Sequence, residues 1–265
     1  MDSFISWLGG KKFLRKHITD RFPKLGKGVF EKYIEVFGGA GWVLFYKDKH
    51  APFEVYNDIN SSLVNLFKCM KYHPQAVLDE LDNIPNSREV FNSFKDLQHN
   101  PHLTDIQRAA IYLYLIKYSF GAKIETFGSR LPGEGTLNLD YFLKVKERLK
   151  SADLVRPLVV IENKGWDALV KQYDRPHTLF YCDPPYVGSE RSYNHGGATF
   201  DKEEHERLAE TLKNIKGKFI LSYNDNEFVR GLYKGLNIEA VDRQNNLSQG
   251  TRKEAYKELI IRNYE

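Results

Sequence analysis

A β-favouring run at residues 33–37, Tyr-Ile-Glu-Val-Phe, stops in Gly38, Gly39, Ala40 and Gly41 and gives way to a helix-favouring segment at 42–47. The pattern repeats at once. Residues 53–57 form a second short run, Asp58 ends it, and helical spacing covers 61–72. Short strands that alternate with helices predict parallel pairing, because a chain returning to the same sheet edge needs a crossover, usually helical. The rhythm resumes late in the chain, with strands at 158–161, 178–182 and 218–223 and helices at 166–173 and 202–214. Two further runs, 237–243 and 255–263, read as strands that close the sheet. The expected fold class is α/β, a Rossmann-like doubly wound sheet.

Between these two stretches the strand signals stop. Thr104 and Gln107 form a capping-box pair, and Ile106, Ala110, Leu113 and Lys117 follow at helical spacing, which predicts a helix over 105–118. A second helix is expected over 140–149. The intervening stretch SFGAKIETFGSRLPGEG, 119–135, mixes glycine with aromatic and basic residues and reads as a hairpin or long functional loop. The expected organisation is a catalytic domain made of 1–74 and 156–265, interrupted by a mostly helical insertion at 75–155.

Charge is informative by distribution, not by total. The chain carries 39 Lys and Arg against 35 Asp and Glu, a net +4. Within the first 30 residues, Lys11, Lys12, Arg15, Lys16, Arg21, Lys24 and Lys27 face only Asp2 and Asp20. A helix over 11–22 would carry most of them, either as a solvated face or as a footprint for a phosphate backbone. The absence of a long apolar run, or of a basic-then-apolar start, predicts neither a membrane span nor secretion and places the protein in the cytoplasm. Cys69 and Cys182 lack metal-type spacing, so reduced core thiols are expected and zinc is not.

Three stretches carry chemistry. The run 178–182 reads as a buried strand, so Asp183 emerges at its carboxyl end, the edge where open α/β sheets bind ligands. Pro184 and Pro185 fix φ twice and remove two amide donors, leaving carbonyls free to accept, and Tyr186 adds an aromatic face. In the second stretch, Gly39, Ala40 and Gly41 let backbone approach a ligand, but the dinucleotide fingerprint requires a small residue where Leu44 stands, which disfavours a nicotinamide cofactor. Asp58 could accept both hydroxyls of a ribose, or could cap the helix that follows. In the third stretch, Trp7-Leu-Gly-Gly-Lys11, adjacent glycines before a helix could expose amides beside an aromatic face, or form a plain turn.

WLGGK at 7–11, FGGAG at 37–41, NDIN at 57–60 and DPPY at 183–186 occur in the order found in Dam-like, alpha-class DNA adenine methyltransferases, which the chain resembles over nearly its whole length. FDKEEHERLA at 200–209, LSYND at 221–225 and KELIIRNY at 257–264 echo the same family. The resemblance implies a methyltransferase sheet with a target-recognition insertion, and transfer of a methyl group from S-adenosylmethionine to the exocyclic amino group of an adenine flipped out of double-stranded DNA. It implies that Trp7, Lys11, Phe37, Gly39, Ala40, Gly41 and Asp58 hold the cofactor together with Asp183, and that Asp183, Pro184, Pro185 and Tyr186 receive the base. No metal enters this chemistry. Serine at position 183 would have favoured cytosine, and asparagine a protein glutamine or an RNA base; aspartate favours adenine.

For DNA contacts the expectation falls on Lys123 and Arg130 in the hairpin segment and on Arg243, Arg252 and Lys253 in the loop between the last two strands. Residues 189–197 look like a flap behind the catalytic turn. A monomer is expected, with a restriction endonuclease as a possible cellular counterpart. Two alternatives stay open: an RNA substrate for the same chemistry, and a noncatalytic DNA-binding module on the same fold. GATC is common in the class, but the insertion departs too far from familiar members to carry that target over.

Overall fold

A computed structural model describes residues 1–128, 139–149, 159–188, 200–243 and 256–265. Seven strands form one sheet: β1 (Lys32–Glu35), β2 (Phe53–Asn57), β3 (Val159–Glu162), β4 (Thr178–Cys182), β5 (Lys218–Asn224), β6 (Asn237–Arg243) and β7 (Tyr256–Arg262). Their order is β3-β2-β1-β4-β5-β7-β6. The first five run parallel, whereas β7 is antiparallel to both neighbours, β5 and β6. The chain moves outward from β1 to β2 on one side and from β4 to β5 on the other. The order therefore reverses between β1 and β4, which leaves a crevice at their carboxyl ends.

The sheet is covered on both faces, which explains why β4 is apolar without a break and buried at all five positions. Alternation sends Leu179 and Tyr181 into one core and Phe180 and Cys182 into the other. The first core is roofed by α1 (Arg15–Thr19), α2 (Ser61–Tyr72), α3 (Pro74–Asp79), α4 (Arg88–Leu97), α5 (Asp105–Lys117) and α6 (Leu139–Leu149). The second is covered by α7 (Trp166–Tyr173), α8 (Lys202–Asn214) and α9 (Glu227–Leu232).

The helices of the 75–155 segment share the first core with the sheet. α5 is buried at every residue from Ala109 to Ile116, so it is apolar all round and not striped, as a fully enclosed helix must be. Its capping box forms as the sequence predicts. Arg148 on α6 reaches β2, where it pairs with Glu54 at 2.7 Å with both side chains 5% exposed, and it also donates to the carbonyls of Lys47 and Leu44.

Three local differences from expectation have simple causes. The basic helix is only Arg15–Thr19, opened by a turn in which the N–H groups of Leu14 and Arg15 donate to the Lys11 carbonyl. Pro23 disfavours helix at Phe22 and limits extension. The segment after the glycine turn is one 3-10 turn, Leu44–Tyr46, and α9 follows β5 where no helix was anticipated. No helix among the described residues is long and apolar enough to cross a membrane.

Candidate active site

The crevice between β1 and β4 opens into a cavity that is continuous with solvent. Trp7, Lys11, Phe37, Gly39, Ala40 and Asp58 line it from the first part of the chain. Asp183, Pro184, Pro185 and Tyr186 line it from the end of β4. Residues spread over 180 positions of sequence are thus brought to one sheet edge. Gly41 stands outside the lining; its φ of 68° turns the backbone, and its N–H donates to the Gly38 carbonyl at 2.8 Å.

The glycine turn is held from below. Gly38 N–H donates to the Asn57 carbonyl at 2.7 Å, and the Tyr56 hydroxyl donates to the Gly39 carbonyl at 2.7 Å. Tyr56 in turn stacks on Phe67, with centroids 3.9 Å apart. A Cβ at Gly38 would collide with the Tyr56 ring and lie 2.8 Å from the Asn57 carbonyl oxygen. Gly38→Ala is therefore expected to destabilise the protein by about 1–3 kcal/mol through overpacking, read as a lower urea midpoint. An unchanged midpoint would contradict this close packing.

Asp58 is not the cap of α2. That role belongs to Asn60, whose side-chain oxygen accepts from the N–H groups of Ser62 and Leu63, each at 3.1 Å. Asp58 instead accepts from Gly39 N–H and Asn60 N–H, both at 2.8 Å, and so ties the β2 loop to the glycine turn. Burial raises its carboxyl above the usual range, opposed by the N–H groups of Asn60, Gly39 and Ile59.

At the end of β4, Asp183 meets two partners. Lys11 Nζ lies 2.8 Å from Oδ2, and Ser222 on β5 donates to Oδ1 at 2.8 Å. Because the Ser222 proton is committed to Asp183, the Tyr181 hydroxyl is the donor in its 3.1 Å contact with Ser222. Burial raises the Asp183 carboxyl; the Lys11 ammonium opposes the rise, the Glu258 charge adds to it, and Ser222 opposes it again. Lys11 is 4% exposed, also donates to the Gly9 carbonyl at 2.8 Å, and sits 4.7 Å from the centroid of Tyr186. The Tyr186 hydroxyl donates to Glu258 on β7 at 2.7 Å.

Four residues of interest had no role in the sequence reading. Ser222 and Glu258 act across 39 and 72 residues of chain, so no local spacing points to them. Glu35, 1% exposed at the end of β1, lines the cavity yet looks like one residue of a strand. Phe120 is 75% exposed in the hairpin segment, the most exposed large apolar side chain among the described residues.

That segment is a closed loop. Ser119 bridges Phe127, Phe120 N–H donates to the Thr126 carbonyl at 2.9 Å, and Gly121, Ala122 and Ile124 all have positive φ. Lys123 sits half-buried within it, separate from the cavity lining. Arg130, Arg252, Lys253 and the 189–197 stretch lie outside the described residues, as does the side chain of Arg243, whose backbone ends β6.

The amino-terminal cluster is mostly neutralised by ion pairs. Lys11 pairs with Asp183, Lys12 and Arg15 with Asp2, Lys16 with Asp20, and Arg21 with Glu239. Among the described residues this leaves Lys24 and Lys27 without an ion pair.

A sequence-family model described as the D12 class N6 adenine-specific DNA methyltransferases matches residues 7–247. The Type II methyltransferase M1.LlaDCHI of Lactococcus lactis subsp. cremoris is 26% identical, with 98% of this chain and 95% of that protein covered. The Type II methyltransferase M.MjaIII of Methanocaldococcus jannaschii is 27% identical, with 98% of both covered. A DNA adenine methylase of Haemophilus influenzae is 26% identical over 97% of this chain and 92% of its own length. The match spans both the cavity and the helical segment, and the chain belongs to the D12 class of N6 adenine-specific DNA methyltransferases.

Proposed function

We propose that the protein methylates the exocyclic amino group of adenine at a specific sequence in double-stranded DNA, with S-adenosylmethionine as the donor. The observation that carries this reading is the meeting of two features in one cavity. The rigid Asp183–Tyr186 turn closes the same space that the glycine turn and Asp58 open.

The residues present suit the donor. Asp58 has its oxygens fixed by backbone N–H groups and retains lone pairs for ribose hydroxyls. Trp7 and Phe37 offer apolar faces, the turn at Gly39, Ala40 and Gly41 allows close backbone approach, and the Lys11–Asp183 pair provides both charges for the amino-acid end. When bound, S-adenosylmethionine supplies a methyl group already activated by its sulfonium.

The protein's task is then to make a poor nucleophile reactive and to aim it. An adenine amino nitrogen has its lone pair delocalised into the ring. The Asp183 carboxylate and the Pro184 carbonyl, accepting hydrogen bonds from that amino group, would favour a tetrahedral nitrogen and stabilise the positive charge that grows on it. Pro185 stiffens the turn. Tyr186 stacks on the extruded base and replaces part of the stacking lost from the duplex, worth about 1–3 kcal/mol. Ser222 and Lys11 hold the Asp183 carboxylate still, so little reorganisation remains for the reaction itself.

Target reading is assigned to the 75–155 segment, with Lys123 and the exposed ring of Phe120 on its hairpin, and with Arg130, Arg243, Arg252 and Lys253 as further DNA contacts. An exposed aromatic of this kind can fill the gap left in a base stack. The protein acts as a monomer, and the relatives named Type II methyltransferases favour a cognate endonuclease in the cell. Sequencing that detects modified bases in DNA from cells expressing the protein should find N6-methyladenine at one recurring sequence. Unmodified DNA, or methylation confined to RNA, would overturn the reading.

A further inference from the structure

We propose that Glu258 is a positioning residue that sets the plane of Tyr186 and thereby the stacking surface offered to the target base. The inference rests on the function proposed above and assigns it a residue on the last strand. Glu258 is 2% exposed on β7, directly opposite Asn224 in the β5–β7 register. From there its carboxylate accepts the Tyr186 hydroxyl at 2.7 Å.

Lys11, Tyr223 and Glu258 all bear on the ring. Lys11 Nζ stands 4.7 Å from its centroid, Tyr223 lies 5.8 Å away at 32°, and Glu258 holds the hydroxyl. The first two act on the ring face and allow it to tilt or slide, since neither a cation over a ring nor an offset aromatic pair is sharply directional. A hydrogen bond to a buried carboxylate is short and directional, and this one comes from a strand of the sheet. Two prolines constrain the backbone before Tyr186, but the ring's own torsions remain. The Glu258 bond is what fixes the far end of the side chain.

Glu258 reaches the turn that follows β4 because β7 lies beside β5 and β5 beside β4.

The test separates positioning from charge. Initial rates with tritiated S-adenosylmethionine and unmethylated genomic DNA give kcat and KM for Glu258→Ala, Glu258→Gln and Tyr186→Phe, with cofactor-product affinity read by calorimetry using S-adenosylhomocysteine. Glu258→Ala is expected to lower kcat by about 10- to 100-fold, the scale set by an ångström of misplacement, with S-adenosylhomocysteine affinity within about threefold of wild type. Glutamine keeps an acceptor for the hydroxyl, so Glu258→Gln should recover most of kcat. Tyr186→Phe should lose about tenfold, and adding Glu258→Gln to it should cost little more, because the bond is already gone. If Glu258→Ala does not fold, the glutamine and phenylalanine variants and their double mutant carry the test alone. Near wild-type kcat in Tyr186→Phe, or a Glu258→Gln variant as slow as alanine, would overturn the proposal. Absence of transfer by the wild-type chain would instead count against the function itself.

Discussion

Replacing Asp183 is expected to reduce methyl transfer by about 10²–10³-fold or more, the range seen when a fixed electrostatic partner of a transition state is removed. The choice of substitution matters. Asp183→Ala removes the partner of Lys11, an ammonium 4% exposed and 2.8 Å away, and a buried charge left unpaired costs about 3–5 kcal/mol. Because of this ion pair, Asp183→Ala should lower stability as well as activity. Asp183→Asn is the cleaner probe. It preserves the volume and one oxygen to accept from Ser222 or Lys11, while withdrawing the charge. Its transfer rate should fall far more than its urea midpoint, and full activity in either variant would exclude the mechanism.

The pH profile offers a second check on the same group. Because burial raises the Asp183 carboxyl in the unliganded protein, the acid limb of kcat/KM should lie above the range of a free aspartate, whose ordinary value is 3.8. A limb at or below that value would mean that a different group titrates.

What sequence reveals here is what is local. The strand ending in Asp183 is readable because five buried residues and two prolines lie in a row, and strand periodicity with turn chemistry needs no partner to be recognised. The glycine turn is readable for the same reason. The division of labour between Asp58 and Asn60 is not: both precede α2 and both suit a cap, and only the fold reveals that Asn60 takes the helix while Asp58 faces the glycine turn. The basic amino terminus is a similar case. Its partners include Asp183 and Glu239, which no window on the first 30 residues contains. Ser222 and Glu258 are hidden because each lies on its own strand and meets the catalytic turn only through the strand order. The hardest case is Glu35, an acid whose sequence position is that of an inward-facing strand residue.

Glu35→Gln is expected to make the protein more resistant to unfolding at pH 8 than the wild type, with the difference shrinking at acidic pH. Glu35 is 1% exposed, and burial pushes its carboxyl up to about 8 from an ordinary 4.5. The Tyr33 hydroxyl, donating at 2.7 Å, the Leu44 N–H and the Arg148 charge pull the other way, while Asp183 adds to the rise. The folded protein thus holds a proton that the unfolded chain has released between pH 4.5 and about 8. By linkage, the resulting stabilisation is fully present below the unfolded value and is lost as pH rises through the folded one. Each unit of separation corresponds to about 1.4 kcal/mol, so the full span amounts to a few kcal/mol. Glutamine keeps an acceptor oxygen, places N–H donors where the protonated carboxyl has its O–H, and cannot ionise. Urea unfolding of the two proteins at pH 5 and pH 8 should therefore show midpoints that diverge toward alkaline pH. Parallel midpoints would mean that Glu35 is already ionised beneath the cavity, and the floor of the site would then carry a negative charge where burial argues for a neutral acid.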